Sequence, residues 1–380
     1  MLAYNKAKLD TWFNRRMTEE AADLGLISET EKQAILNQLP APFFNPRTIV
    51  RIGLGFSTMV AVSMFFSFIQ LVLGINNGDF IISFIVGTGV ILLLEQMIRK
   101  KLHYRSGIDD MLLYMGFGII LGGFVSIFEK VPDPSILLSG IATVLALLAT
   151  LRYADRLMAA LVVLFFTMFT YFVVKRVDNA WMIMPLIAFI YSVAGWYIAS
   201  VLIGNSRFIY YRHCFEFVQL VCLVMAGVTT NYYIIAEGWF FVHQQEISSN
   251  WKGFYTVTTV LIPILTIASG FLQKDKKRIR IGALMVVGAI MTLHHYFTST
   301  PAETLCIVYG ALLLIISYWL LKHHKARENG ISFSEKHDGR ELFEIESLLI
   351  GAGVSMIIPQ ETPQRFGGGD FGGAGSGGKY

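Results

Sequence analysis

Residues 80–105 read FIISFIVGTGVILLLEQMIRKKLHYR. No charge occurs from Phe80 to Leu94, and then Glu95, Arg99, Lys100, Lys101 and Arg105 follow in quick succession. A stretch that is apolar all round has no face to turn toward water, and about 20 such residues in a helix cross about 30 Å of hydrocarbon. Lipid offers the backbone no hydrogen-bond partner, so a run of this length crosses as a helix. The basic cluster that closes it marks a helix end on the cytoplasmic side.

The same pattern recurs along the chain. Apolar runs fall at about 48–73, 80–98, 108–128, 134–151, 154–174, 180–204, 212–237, 254–273, 279–297 and 302–321. The loops between them alternate in Lys and Arg. The second holds Arg99, Lys100, Lys101 and Arg105; the fourth Arg152 and Arg156; the sixth Arg207 and Arg212; the eighth Lys274, Lys276, Lys277, Arg278 and Arg280. The odd-numbered loops share only Lys130, Lys175, Arg176 and Lys252. Both polar ends are basic as well. The reading is an all-α, polytopic bundle of about ten spans in the inner (plasma) membrane, with both termini cytoplasmic. Composition agrees: 54% of residues are hydrophobic and 15% charged, where a soluble domain carries about a quarter charged residues. The net charge of +4 is spread over helix ends instead of one patch, so the partner implied is the lipid bilayer and not nucleic acid.

Four segments follow. Residues 1–47 form a cytoplasmic helical hairpin. They lack the apolar core and small-residue cleavage site of a signal peptide, so the first span is expected to act as its own insertion signal. In the first helix Leu9, Trp12, Phe13, Met17 and Ala21 recur at helical spacing, and Gly25 is the expected stop. Ser28 and Glu31 make a capping box for a second helix that Pro40 ends. The apolar face docks on the membrane surface or on the spans; the other reading is a module that binds a partner protein. Residues 48–321 are the transmembrane domain. Residues 322–365 are a charged cytoplasmic segment, in which 348–358 is too short to span. Residues 366–380 hold eight glycines and read as a flexible tail, a second place for a protein partner.

No catalytic or metal motif stands out, and no cofactor is expected. Cys214, Cys222 and Cys306 lie in or beside apolar runs and read as packed thiols. What remains is polar groups in the spans, which are functional suspects because lipid penalises them. His213, Glu216 and Gln219 share one face of the seventh span near its cytoplasmic end. Asn231, His294 and His295 gather toward the other side. Glu95 with Arg99, and Arg105 with Asp109, stand four apart and read as helix-end ion pairs. Asp110 has no obvious partner.

Helix breakers form a second set. Pro185 lies near the start of the sixth span and Pro263 in the middle of the eighth. The third carries Gly116, Gly118, Gly122 and Gly123, with Gly118 and Gly122 spaced as a close-packing GxxxG. Divided five plus five, the third and eighth spans correspond, and interruption of both is what inverted-repeat transporters show.

The opening GLISETEKQAIL at 25–36, running straight into a row of spans, resembles a group of bacterial polytopic inner-membrane proteins of unknown function with a short helical preface. The resemblance implies architecture and location and carries no site residues. Three functions fit the sequence: a small-solute or lipid transporter; a non-catalytic scaffold, assembly or sensing component; and an intramembrane enzyme acting on lipid.

Overall fold

The computed structural model describes residues 2–23, 26–40, 43–74, 79–129, 131–177, 183–237, 249–273 and 275–297, with Gly310, Ala311 and Tyr318 besides. The expected tenth span, the segments 322–365 and 366–380, Gly25 and Cys306 lie outside these residues. Among the described residues every regular element is a helix: α1 (Lys6–Asp23), α2 (Glu29–Gln38), α3 (Thr48–Leu73), α4 (Phe80–Lys101), α5 (Ile108–Phe128), α6 (Ser135–Tyr153), α7 (Arg156–Val174), α8 (Met184–Ile203), α9 (Arg212–Thr229), α10 (Tyr232–Ala236), α11 (Ser249–Gln273) and α12 (Lys276–Phe297). Nine of these helices, α3 to α9 with α11 and α12, are long and apolar enough to cross a membrane. The chain is that of a multi-pass helical membrane protein.

Two compact units divide it. The first takes Met1–Ala180 and Tyr197–Gln219; the second takes Trp181–Trp196 and continues from Leu220. In the first unit α4 pairs most extensively with α5 and α6 with α7, and α5 also touches α3 and α6. Close approach of α4 and α5 is made by missing side chains. A Cβ on Gly87 would lie 2.5 Å from Ile120, one on Gly116 2.7 Å from Ile91, and one on Gly123 2.8 Å from Ser83. Gly116 and Gly123 are seven apart, two turns along one face. Gly118 is about 200° round the helix from Gly116, and among the described residues nothing lies within 4 Å of a Cβ on Gly118 or Gly122. The expected GxxxG is therefore not the face that meets α4. At the start of α5, Gly107 adopts φ +90° and a Cβ there would meet the Arg51 carbonyl at 2.1 Å, so α3 and α5 touch where only glycine fits.

The breakers do not break their helices. α5 runs unbroken through Gly116–Gly123 and α11 through Pro263. A membrane helix tolerates one lost backbone bond where neighbours satisfy the freed group. Pro185 is the second residue of α8, in the first turn, where its missing N–H has no bond within the helix to lose. The interruption falls instead in the expected seventh span. α9 stops at Thr229, and Asn231, with extended backbone (φ −78°, ψ 122°), caps α10 by accepting from the Tyr233 N–H at 3.0 Å.

The N-terminal helices dock on the ends of the spans. Leu9 is buried and Trp12 packs edge-on to Tyr104 at 5.0 Å. The Ala3 N–H donates to the Arg152 carbonyl at 2.8 Å, and the Tyr210 hydroxyl donates to Asp10 at 2.8 Å. Phe44 bridges to His103, tying the exit of the hairpin to the second basic loop. Arg15 closes the hairpin by donating to the carbonyls of Leu36 and Leu39 at the end of α2. The Ser28–Glu31 capping box is present in both directions.

Candidate functional site

A cluster of charged groups in the first unit lies where α3, α5, α7 and α9 begin and α4 and α6 end. Each carboxylate that apolar helices bring there is matched. Glu95 accepts from Arg152 Nε at 2.9 Å and Nη2 at 3.0 Å, from the Tyr153 hydroxyl at 3.0 Å, and pairs with Arg99 at 3.3 Å. The expected i,i+4 pair is real, but the two-pronged bond to Arg152, 57 residues away, is the shorter one. Asp110 finds Arg51 on α3, with Nε and Nη2 at 3.1 and 2.5 Å from one carboxylate oxygen. Asp109 does not bind the Arg105 guanidinium as the spacing predicted. It accepts from the Arg105 and Ser106 N–H groups at 2.7 and 2.8 Å and from the Ser106 hydroxyl at 2.9 Å, which folds the loop before α5.

Asp155 caps α7, accepting from Met158 N at 2.8 Å and from the Tyr114 hydroxyl at 3.0 Å. Burial pushes its carboxyl above the ordinary carboxylate range, against the pull of those two bonds. Burial likewise pushes the phenols of Tyr4 and Tyr104 up. Arg105 stacks over Trp12 at 5.8 Å and Tyr104 at 5.3 Å, and its buried Nη2 has no hydrogen-bond partner among the described residues. Tyr4, Tyr104, Arg105, Asp110, Tyr153 and Asp155 line a cavity of about 20 Å³, room for one water. Tyr4, just ahead of α1, lines this chamber, and Trp12 of α1 packs on its Tyr104.

Beside the chamber a second cavity, of about 500 Å³ and partly open, lies between α4, α5 and α6. Its walls are Ile91, Leu113, Phe117, Ile120, Leu145, Leu148, Ala149 and Leu151, and its polar end is Arg152 and Tyr153. The volume falls within the range of about 300–1,000 Å³ typical of ligand sites.

The residues singled out from the sequence fall in two places. In the first unit, His213 is buried and its Nε2 lies 2.6 Å from the Ala154 carbonyl, while Glu216 pairs with Arg212 at 3.5 Å. Three-residue spacing put the two on one face, yet each has its own partner. Gln219 donates to the Ser200 hydroxyl at 2.6 Å. In the second unit, Asn231 accepts from the Thr292 hydroxyl at 2.9 Å as well as capping α10. His295 stands 3.8 Å from Glu237, which also accepts from the Tyr296 hydroxyl at 2.8 Å; His294 is one residue back and about 100° round α12. Among the described residues no three His, Cys, Asp or Glu side chains are placed to hold a metal ion. Cys214 and Cys222 are buried free thiols.

Sequence reasoning missed the Arg51–Asp110 pair, the Tyr114–Asp155 bond and the apolar cavity. The signal for the first was on the page, since a carboxylate in an apolar helix needs a partner. Which of several basic residues supplies it depends on packing. Compared with family models, with curated proteins and with solved structures, the chain shows no significant match.

Proposed function

We propose that this chain is an inner-membrane transporter of lipids or small amphiphilic solutes, with both termini in the cytoplasm. The observation that carries the reading is the cavity of about 500 Å³ between α4, α5 and α6, apolar along its walls and ending at Arg152 and Tyr153. An apolar wall with one polar end matches the two ends of an amphiphile. α5, the third span, lines it through Leu113, Phe117 and Ile120. The unbroken α5 and α11 withdraw support from an unwound midplane site, so an amphiphile in a groove replaces a small ion or solute as the favoured cargo.

The test is reconstitution into vesicles that carry a fluorescent phospholipid, followed by chemical quenching of the outer leaflet. Transport predicts loss of the inner-leaflet signal faster than in protein-free vesicles. Equal rates end the transport reading. Orientation is checked by reporter fusions: Gly78, Asn250 and Thr300 report the outside and Lys277 the inside. A cytoplasmic signal at Thr300 removes the ten-span count. A second reading, a membrane scaffold, draws on α3, which buries only Gly55 and Val62 along its length and leaves Ile49, Met64 and Leu71 on its surface.

A further inference from the structure

The α4–α5–α6 cavity ends in basic and polar side chains. Arg152 closes the cavity, and both of its nitrogens named above go to Glu95. Arg99 reaches the same carboxylate from one turn further along α4. Two guanidinium groups therefore share one carboxylate. Neither guanidinium is withdrawn from its surroundings: the Arg99 side chain is 67% exposed and that of Arg152 38%. Lys100 and Lys101 complete the last turn of α4, adding two more cations at the same helix end. The Tyr153 hydroxyl also donates to Glu95 and holds the carboxylate in place between the arginines.

Below this charged rim the wall is apolar for several turns, from Leu148 and Leu145 on α6 to Leu113 and Phe117 on α5 and Ile91 on α4. A free anion uses the rim and leaves the cavity empty of anything apolar. A neutral hydrocarbon uses the cavity and gains nothing from the rim. A phospholipid with a net negative head group uses both: one acyl chain against α5 and α6, and its phosphate at the basic rim where Arg99 and Arg152 meet on Glu95. Basic clusters of this kind, at the cytoplasmic ends of membrane helices, face the leaflet in which anionic lipid is concentrated. We propose that the cavity is a selective site for an anionic phospholipid, bound tail-in from that leaflet. The proposal rests on the lipid reading above and names its ligand class.

The experiment uses the full-length protein purified in detergent, freed of co-purified lipid and titrated with phosphatidylglycerol or phosphatidylcholine, with bound lipid counted by native mass spectrometry. The expected result is at least ten-fold tighter binding of phosphatidylglycerol. Neutralising the exposed rim with Arg99→Gln, Lys100→Gln and Lys101→Gln together should abolish that preference, so that the two lipids bind alike. Leu148→Trp, at a half-exposed wall position, should weaken both lipids. A phosphatidylglycerol with a photoreactive acyl chain, cross-linked to the unaltered protein, should label α6 between Leu145 and Leu151. Equal binding of the two lipids, or labelling confined to helices other than α4, α5 and α6, overturns the proposal. Selective binding with a lipid-flipping rate equal to that of empty vesicles removes the transport reading and leaves the site. Accelerated flipping without head-group preference removes the site and leaves transport.

Discussion

Two regions of this protein satisfy polar groups inside an apolar helical bundle, and they do so with opposite chemistry. At the basic end of the first unit the groups are ionised and paired, as in Arg51–Asp110 and Glu95–Arg152. At the α9–α10 break of the second unit they are neutral. Where α9 gives way to α10, the freed Thr230 carbonyl lies 3.1 Å from the Thr258 hydroxyl and 3.3 Å from that of Thr259, whose shorter bond, at 2.6 Å, goes back to the Tyr255 carbonyl. Thr259 in turn accepts from the Tyr232 N–H at 2.9 Å, and Thr292 donates to Asn231. Depth explains the choice. The charges sit in the first or last turns of their helices, within reach of water and head groups. Thr259 lies eight residues along α11 from Trp251, about 12 Å at 1.5 Å per residue. A charge at that depth costs several kcal/mol, while a hydroxyl that returns a hydrogen bond to a neighbouring carbonyl leaves nothing unsatisfied.

The sharpest way to break the comparison is to unpair a charge. Arg51→Leu leaves the Asp110 carboxylate buried without its partner. The expected loss is about 2–3 kcal/mol, below the roughly 3–5 of a fully buried pair because Arg51 is half exposed. Thermal unfolding in detergent reads it, and Arg51→Leu with Asp110→Leu should recover most of the loss. A double variant no better than the single one would mean that the pair is not what holds α3 to α5.

Next in size is the packing that brings the charged helices together. Gly116→Leu should cost about 2 kcal/mol by overpacking against Ile91, and Gly118→Leu, on the open side, almost nothing. Similar losses for the two would place the contact face wrongly. In the neutral network Thr259→Val keeps the shape and removes the bridge between Thr230 and Tyr232. About 1 kcal/mol is the expected cost, since hydrogen bonds between membrane helices are individually modest. A loss as large as that of Arg51→Leu would erase the distinction between the two regions.

The smallest effect belongs to the water-facing cap of α2. Ser28→Ala should lower the local stability of residues 29–36 by about 0.5–1 kcal/mol, read as faster amide exchange. Its acid dependence has a definite sign. The bonds from Ser28 hold Glu31 below the ordinary carboxylate range, so the cap is fully present above that range and is lost as pH falls through the lowered value. Exchange that slows on acidification beyond its intrinsic pH dependence would contradict this.

Much of this was legible in one dimension. Nine of the ten apolar runs are long helices among the described residues, because length and hydropathy need no knowledge of neighbours, and Ser28 with Glu31 marked a cap because both partners lie within one turn. Contacts across helices were not legible. The sequence places Gly116, Gly118, Gly122 and Gly123 round α5 but does not say which side meets α4. It puts His213 and Glu216 on one face but cannot know that the Ala154 carbonyl is nearer to the imidazole. The true interruption at Thr230–Asn231 hid behind stronger breakers, because Thr and Asn end a helix only when other helices supply partners for the freed groups.

The docking of α1 carries a consequence for the order of events during synthesis. Residues 3–12 leave the ribosome early, yet their partners are Tyr104, Arg152 and Tyr210, the last 200 residues downstream of Asp10. Tyr104 can cover Trp12 once the second span is made, but the contacts of Asp10 and Phe13 with Tyr210 form only after the sixth span has been inserted. The seat of α1 is therefore completed in stages, and full protection of α1 from protease should appear only in chains that extend past Tyr210.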